Sequence, residues 1–477
     1  MRPTSVASVE NAVVSSFKCR LKPAQVALEG FPWKLATILY TLSWGWSLLR
    51  PNTLYWDDWT YIYGRPKSYL NEIFVKTGLP PWRALIDQEL IAVGYWTIPV
   101  LTFTMFFASS LFLHNILKKF TPINDEQIRI AVLVALLLPV NHSRISLQMF
   151  GYTTSYFLFF LAWMLLVSHY KRVQFWFSIV LFFWSFMTHS FLFFYVLPLV
   201  HYLFTQRQTI KVIRGRFFLK PGNIVLFAIP LFYYLMRKFF WAPTEAYENY
   251  HQATIGGAVR GFVFFSIGIT LLVFILFSFK AMRLNRSSIF ISLLGWTLFA
   301  WGLFPYFVNK SFIDMVSVFA FRADWGSRHL LLTPLGAGFL MSGLALLFTK
   351  LSRFIFVNAA LIIFVCCNLF FGSQYFLDSI KKEQLVEIFR NEDQLSENGN
   401  IIFIDETKRF NGRYSSYRDT ELKALVELSD RTVKSISGKT SCEQTSDGIQ
   451  LTLKSKKSYL NAFLSRDLDL YFVSQEC

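Results

Sequence analysis

The sequence predicts an α-helical polytopic membrane protein with about eleven transmembrane helices and a small extracytoplasmic C-terminal α/β domain. Three observations carry that prediction. Of 477 residues, 54% are hydrophobic and only 16% charged, with 53 Phe, whereas soluble domains carry about 25% charged residues. Apolar runs of helix-spanning length recur between residues 32 and 372. From residue 373 onward the chain turns polar, with 15 Lys+Arg against 17 Asp+Glu. A disordered chain, a disulfide scaffold and a plain cytosolic enzyme are excluded on these grounds.

The runs place spans at 32–49, 93–117, 128–140, 153–168, 173–188, 190–204, 223–241, 261–279, 287–307, 329–349 and 354–372. The 173–204 stretch must turn around Thr188-His189-Ser190. Residues 1–31 are polar and mixed, without an evident signal peptide, and form a cytoplasmic segment. The net charge of +17 raises nucleic acid as a partner, but the excess lies between hydrophobic runs and no nucleic-acid motif accompanies it. With the N-terminus inside, alternate loops collect a net charge of +16 on the cytoplasmic face. That sorting is the positive-inside rule, and an odd number of spans then places the C-terminus outside.

The segment 373–477 forms the outer domain. Asn400-Ile401-Ile402-Phe403-Ile404-Asp405 reads as a strand, 420–428 as a helix, and 448–453 and 468–473 as further strands. Cys366 and Cys367 read as packing residues of the last span. Cys442 and Cys477 fall outside, where a disulfide is permitted.

Polar residues that interrupt the apolar pattern gather on the outer face. The first outer loop, 50–92, opens with Arg50-Pro51-Asn52-Thr53-Leu54-Tyr55-Trp56-Asp57-Asp58-Trp59. Two adjacent acids bracketed by aromatics suit a base or a divalent-cation site, or else solvated acids in an aromatic belt. Amphipathic helices follow over 69–89, broken at Pro80-Pro81. Later outer segments add Asn141-His142-Ser143-Arg144, Thr188-His189-Ser190, a loop with Glu245 and Glu248, and Arg322 through Ser327-Arg328-His329. Trp56, Trp59, His142, His189 and Glu248 are candidate substrate contacts. A third metal ligand is not visible.

This layout resembles the GT-C superfamily of integral membrane glycosyltransferases, which use polyprenyl-phosphate-linked sugars. The resemblance rests on the aromatic-Asp-Asp-aromatic motif of the first outer loop, the helices behind it, the many spans and the outer C-terminal domain. It implies that Asp57 or Asp58 is the catalytic base. It further implies that Arg328, with Arg322, Arg144 and His329, holds the donor phosphate. The nearest likeness is to bacterial inner-membrane enzymes that modify O-antigen or other surface glycans, with a glycan or lipid-linked glycan as acceptor. The tail lacks a Trp-Trp-Asp-type motif, which argues against an oligosaccharyltransferase. Two alternatives stay open: an O-antigen ligase or polymerase, and a lipid-linked glycan flippase.

Overall fold

A computed structural model describes residues 30–56, 58–62, 68–120, 123–168, 172–207, 209–210, 214–245, 247, 254–278, 286–308, 325–392, 400–412, 417–438 and 449–476. The chain is mostly helical, with one small sheet near its C-terminus. The helices before the sheet are α1 (Trp33–Trp44), α2 (Asp58–Ile62), α3 (Ser68–Lys76), α4 (Trp82–Val93), α5 (Thr97–Lys118), α6 (Asp125–Leu137) and α7 (Phe150–Val167). They continue as α8 (Arg172–Ser185), α9 (Ser190–Phe194), α10 (Val196–Thr205), α11 (Pro221–Phe240), α12 (Ile255–Ser278), α13 (Arg286–Phe307), α14 (Thr333–Ala345) and α15 (Lys350–Asn391).

Among the described residues, six helices are long and apolar enough to cross a membrane: Thr97–Lys118, Leu147–Val167, Pro221–Phe240, Ile255–Leu276, Arg286–Phe307 and Lys350–Asn391. Each coincides with an expected span. The other five expected spans hold α1, α6, α8, the α9–α10 pair (Ser190–Thr205) and α14; no single helix among them exceeds 14 residues, below the ~20 that cross a bilayer alone. Local chemistry shortens them. At α6, Asn124 and Gln127 form a reciprocal capping box that fixes the start. Pro139 and a left-handed Asn141 (φ 57°) follow its end. The 173–204 stretch turns at Thr188-His189-Ser190 as expected, because Thr188 ends a turn there and α9 begins at Ser190.

Most of these helices share one core rich in Phe, while α12 packs separately through Leu272 and Leu276 against Leu347. Phe159 lies between Phe191 at 4.8 Å and Phe182 at 5.4 Å, and Phe182 meets Tyr195 edge-on at 4.8 Å. Offset and edge-to-face pairs of this kind add to simple burial. Between α13 and α14 the backbones nearly touch. A methyl group on Gly336 would lie 2.1 Å from the Phe299 nitrogen, and one on Gly295 would lie 2.2 Å from the Leu340 nitrogen. Small residues at such seams let membrane helices approach closely.

Helix α15 runs 42 residues without interruption. Its first half is apolar, with Phe354, Ile355, Ile362, Ile363, Leu369 and Phe370 exposed along one side. Past Gly372 it becomes the central helix of the tail. The tail adds β1 (Asn400–Asp405), α16 (Asp419–Leu428), β2 (Ser435–Gly438), β3 (Ile449–Ser455), α17 (Tyr459–Ser465) and β4 (Leu470–Glu476). Sheet order is β2-β1-β3-β4, with β1 parallel to both β2 and β3 and β4 antiparallel to β3. Alternation sends Ile401, Phe403 and Asp405 inward. Asp405 is buried because Lys381 of α15 meets both its oxygens at 2.9 and 2.8 Å. Thr407 and Asn411 complete the network: Thr407 donates through its amide and hydroxyl, and Asn411 through its side-chain amide. Burial alone would raise the Asp405 carboxyl, but Lys381 and these hydrogen bonds hold it below the usual range.

Cys366 and Cys367 on α15 are free thiols. Cys442 and Cys477 lie outside the described residues.

Candidate active site

The segment that follows α1 is shaped by Asp58. Its backbone N–H donates to the Tyr55 carbonyl at 3.1 Å, and its Oδ2 accepts the Tyr55 N–H at 3.0 Å. This clip forces Trp56 into the left-handed region at φ 52°, a conformation that is costly for a bulky residue. The other oxygen reaches across the molecule. Oδ1 accepts the Ser146 hydroxyl at 2.6 Å and the Gln148 N–H at 3.1 Å. Asp58 therefore caps the start of the Leu147–Val167 helix, where the exposed N–H groups and the helix dipole favour a carboxylate. The side chain is completely buried. Burial pushes its carboxyl up to about 6, and the hydrogen bonds from Ser146, Tyr55, Gln148 and Leu147 limit the rise.

The segment that Asp58 holds is the one that carries His142 and Arg144. His142 stacks on Trp44 with ring centres 5.2 Å apart, and its Nε2 lies 3.3 Å from the Asn368 Oδ1. Burial, with Arg144 adding to it, lowers the His142 imidazole to about 3, so it is a neutral hydrogen-bonding group. The Arg144 guanidinium lies 3.1 Å from the Trp44 ring centre and 4.3 Å from that of Phe106. Arg144 is only 6% exposed, and its Nη2 has no hydrogen-bond partner among the described residues. Burial lowers it to about 10, which leaves it charged at neutral pH. Arg144 lies at a small cleft lined by Phe106, Leu113, Tyr156 and Leu331 together with the polar Ser109, Ser110 and Asn141. A buried cation without a carboxylate beside it is costly, and an anion entering this cleft would offset that cost.

Ser327-Arg328-His329 joins from the other side, where the Ser143 N–H donates to the Ser327 hydroxyl at 2.9 Å. Arg328 and His329 are both buried. The His329 ring lies 4.7 Å from Tyr306, whose hydroxyl donates to the Ser190 Oγ at 3.2 Å. His189 immediately precedes Ser190 and turns its ring toward Tyr233, 6.3 Å away. Four segments far apart in sequence are thus tied in series: 55–58, 142–148, 327–329 and 189–190.

Of the other expected contacts, Trp56 lines a second small cleft with Tyr55, Tyr375, Asp378, Lys382 and Tyr417. Trp59 is packed in the apolar core between this loop and the tail, with Leu54, Ile98 and Phe150. Asp57, Arg322 and Glu248 lie outside the described residues. Among the described residues no group of three His, Cys, Asp or Glu side chains is placed to hold a metal ion.

Several contributors were not singled out from sequence. Ser146 and Asn368 anchor the segment that carries Arg144. Lys382 donates to the Leu54 carbonyl at 2.8 Å, pairs with Asp378 at 3.0 Å and sits 4.7 Å from the Tyr55 ring. The Tyr417 hydroxyl donates to Asp378 at 3.1 Å. The available signal was the placement of Asp378, Lys381 and Lys382 directly after the last apolar run, still in helical phase with it.

No family model matches the chain, and no curated protein matches it.

Proposed function

We propose that this chain is a GT-C-like membrane glycosyltransferase. It moves a sugar from a polyprenyl-phosphate donor to a glycan acceptor on the outer face of a bacterial inner membrane. The observation that carries this reading is Arg144: a buried, charged guanidinium whose Nη2 has no hydrogen-bond partner among the described residues, at the edge of a small cleft. The phosphate of a lipid-linked donor supplies an anion for the guanidinium. The loop charges support eleven spans with the N-terminus cytoplasmic, the five short helices crossing within the shared core.

In this scheme the acceptor hydroxyl attacks the anomeric carbon as the bond from that carbon to the phosphate oxygen breaks. Asp57 takes the hydroxyl proton. Asp58 positions the Arg144 segment through its hydrogen bonds to Ser146 and Gln148. The leaving polyprenyl phosphate keeps the bonding electrons, and its charge is offset by Arg144, with Arg328, His329 and Arg322 as further donors. His142, His189 and Glu248 are assigned to substrate contacts, and Trp56 to the acceptor at the Tyr375–Tyr417 cleft, where ring faces and a carboxylate suit a sugar.

The test is transfer by the purified protein in nanodiscs from a polyprenyl-phosphate sugar. Asp57→Asn and Arg144→Ala are each expected to abolish it with membrane insertion intact. Normal transfer by both variants would refute the site. Unchanged glycans in a host lacking the gene, with lipid-linked precursors redistributed across the membrane, would indicate a flippase instead.

A further inference from the structure

The tail carries an apolar surface where a soluble domain would carry charge. Helix α17 is capped by Ser458, whose hydroxyl accepts the Asn461 N–H, and ends at a left-handed Arg466. Ala462 is fully buried against Leu468, Phe410 and Leu377. The opposite side presents Leu460 (64% exposed), Phe463 (39%) and Leu464 (71%). Positions i, i+3 and i+4 share one helix face, so these three side chains form a single patch.

Helix α15 fixes where that patch lies. Between Arg353 and Asp378 it has no charged residue. Twenty residues at ~1.5 Å each cover ~30 Å, the thickness of the hydrocarbon core, so a span that starts at Arg353 reaches the opposite interface near Ser373. At that level α17 is attached: the Ser373 and Tyr459 hydroxyls are 2.9 Å apart, and Phe376 meets Phe463 at 6.0 Å. One turn below, Leu369 and Phe370 are exposed on α15, continuing its run of open apolar side chains. The patch is therefore level with the membrane surface and continuous with a lipid-facing strip. Exposed cations border it: Lys456, Arg466 and Arg409.

We propose that α17 is an interfacial anchor that seats the C-terminal domain on the bilayer. Leu460, Phe463 and Leu464 enter the boundary between headgroups and acyl chains, and Lys456, Arg466 and Arg409 face anionic headgroups. The anchor fixes the height of the tail above the membrane, and it stands whatever reaction the chain catalyses.

The test uses the full chain in vesicles of phosphatidylcholine and phosphatidylglycerol that contain a lipid with a photoactivatable diazirine in its acyl chain. After irradiation, lipid adducts are mapped by peptide mass spectrometry. Adducts are expected on 459–466 and on 362–370, and not on β2 at the far edge of the sheet. In Leu460→Gln/Phe463→Gln/Leu464→Gln the 459–466 adducts fall to background while those on 362–370 persist. Adducts on 362–370 but none on 459–466 in the unaltered protein would overturn the proposal.

Discussion

Arg144 and Asp58 are both buried ionisable groups, yet their energetics differ. Asp58 accepts hydrogen bonds from Tyr55, Ser146 and Gln148; Arg144 rests on aromatic faces, and its Nη2 is unpaired among the described residues. Replacing an unpaired buried charge with an apolar side chain of similar volume tends to be neutral or stabilising. Arg144→Met is therefore expected to keep or raise the thermal midpoint in detergent while sugar transfer is lost, a trade-off typical of functional sites. A clear fall in the midpoint would mark Arg144 as structural. Asp58→Asn is expected to behave oppositely, because an amide sets N–H groups against the donors that the carboxylate accepts, costing about 1–3 kcal/mol. The sign of its pH dependence follows from burial. The folded carboxyl titrates at about 6, above the ~4 of an unfolded Asp, so the folded state binds the proton more tightly. The contribution of Asp58 to stability is thus fully present below pH ~4 and declines as pH rises through ~6. The difference in thermal midpoint between the parent protein and Asp58→Asn should shrink over that window; a difference that grows would contradict the burial argument.

Helices α15 and α6 show what sequence patterning conveys and what it omits. The six membrane-length helices were legible because hydropathy reports burial in lipid or core directly, and the strand Asn400–Asp405 was legible from its alternation and flanking polar residues. The lengths of α6 and α14 were not, because an apolar run says nothing about where a left-handed Asn141 or a tight backbone seam ends a helix. The change in composition near 373 was visible, but α15 continues through it, since buried pairs satisfy Asp378, Lys381 and Lys382. The aromatic-Asp-Asp pattern flagged the loop. It did not show that Ser146, 88 residues on, would occupy one of those carboxylates. Such pairings depend on tertiary contact alone. Removing one partner of the Lys381–Asp405 pair leaves a buried charge, so Lys381→Met should cost about 3–5 kcal/mol. The expected readout is faster proteolysis within 400–476 while α5 and α7 stay protected; an unchanged digestion pattern would mean the pair is dispensable.

At the scale of the whole molecule, α15 couples the two parts. Its apolar half is long enough to cross a membrane, and it then holds the segment after α1 through Lys382 and the sheet through Lys381. Motion of the tail would therefore reach Leu54 and Tyr55 directly. Reporter fusions after residue 372 should report an outer location, as the loop charges require; a cytoplasmic report would remove the proposed face of reaction. The central claim is sugar transfer at a site built from the first outer loop and Arg144. The most direct measurement is mass spectrometry of the surface glycans of a host lacking the gene, complemented with the parent protein or with Asp57→Asn. The account predicts one sugar missing without the gene, restored by the parent protein and not by the variant. Identical glycans in all three strains would contradict it.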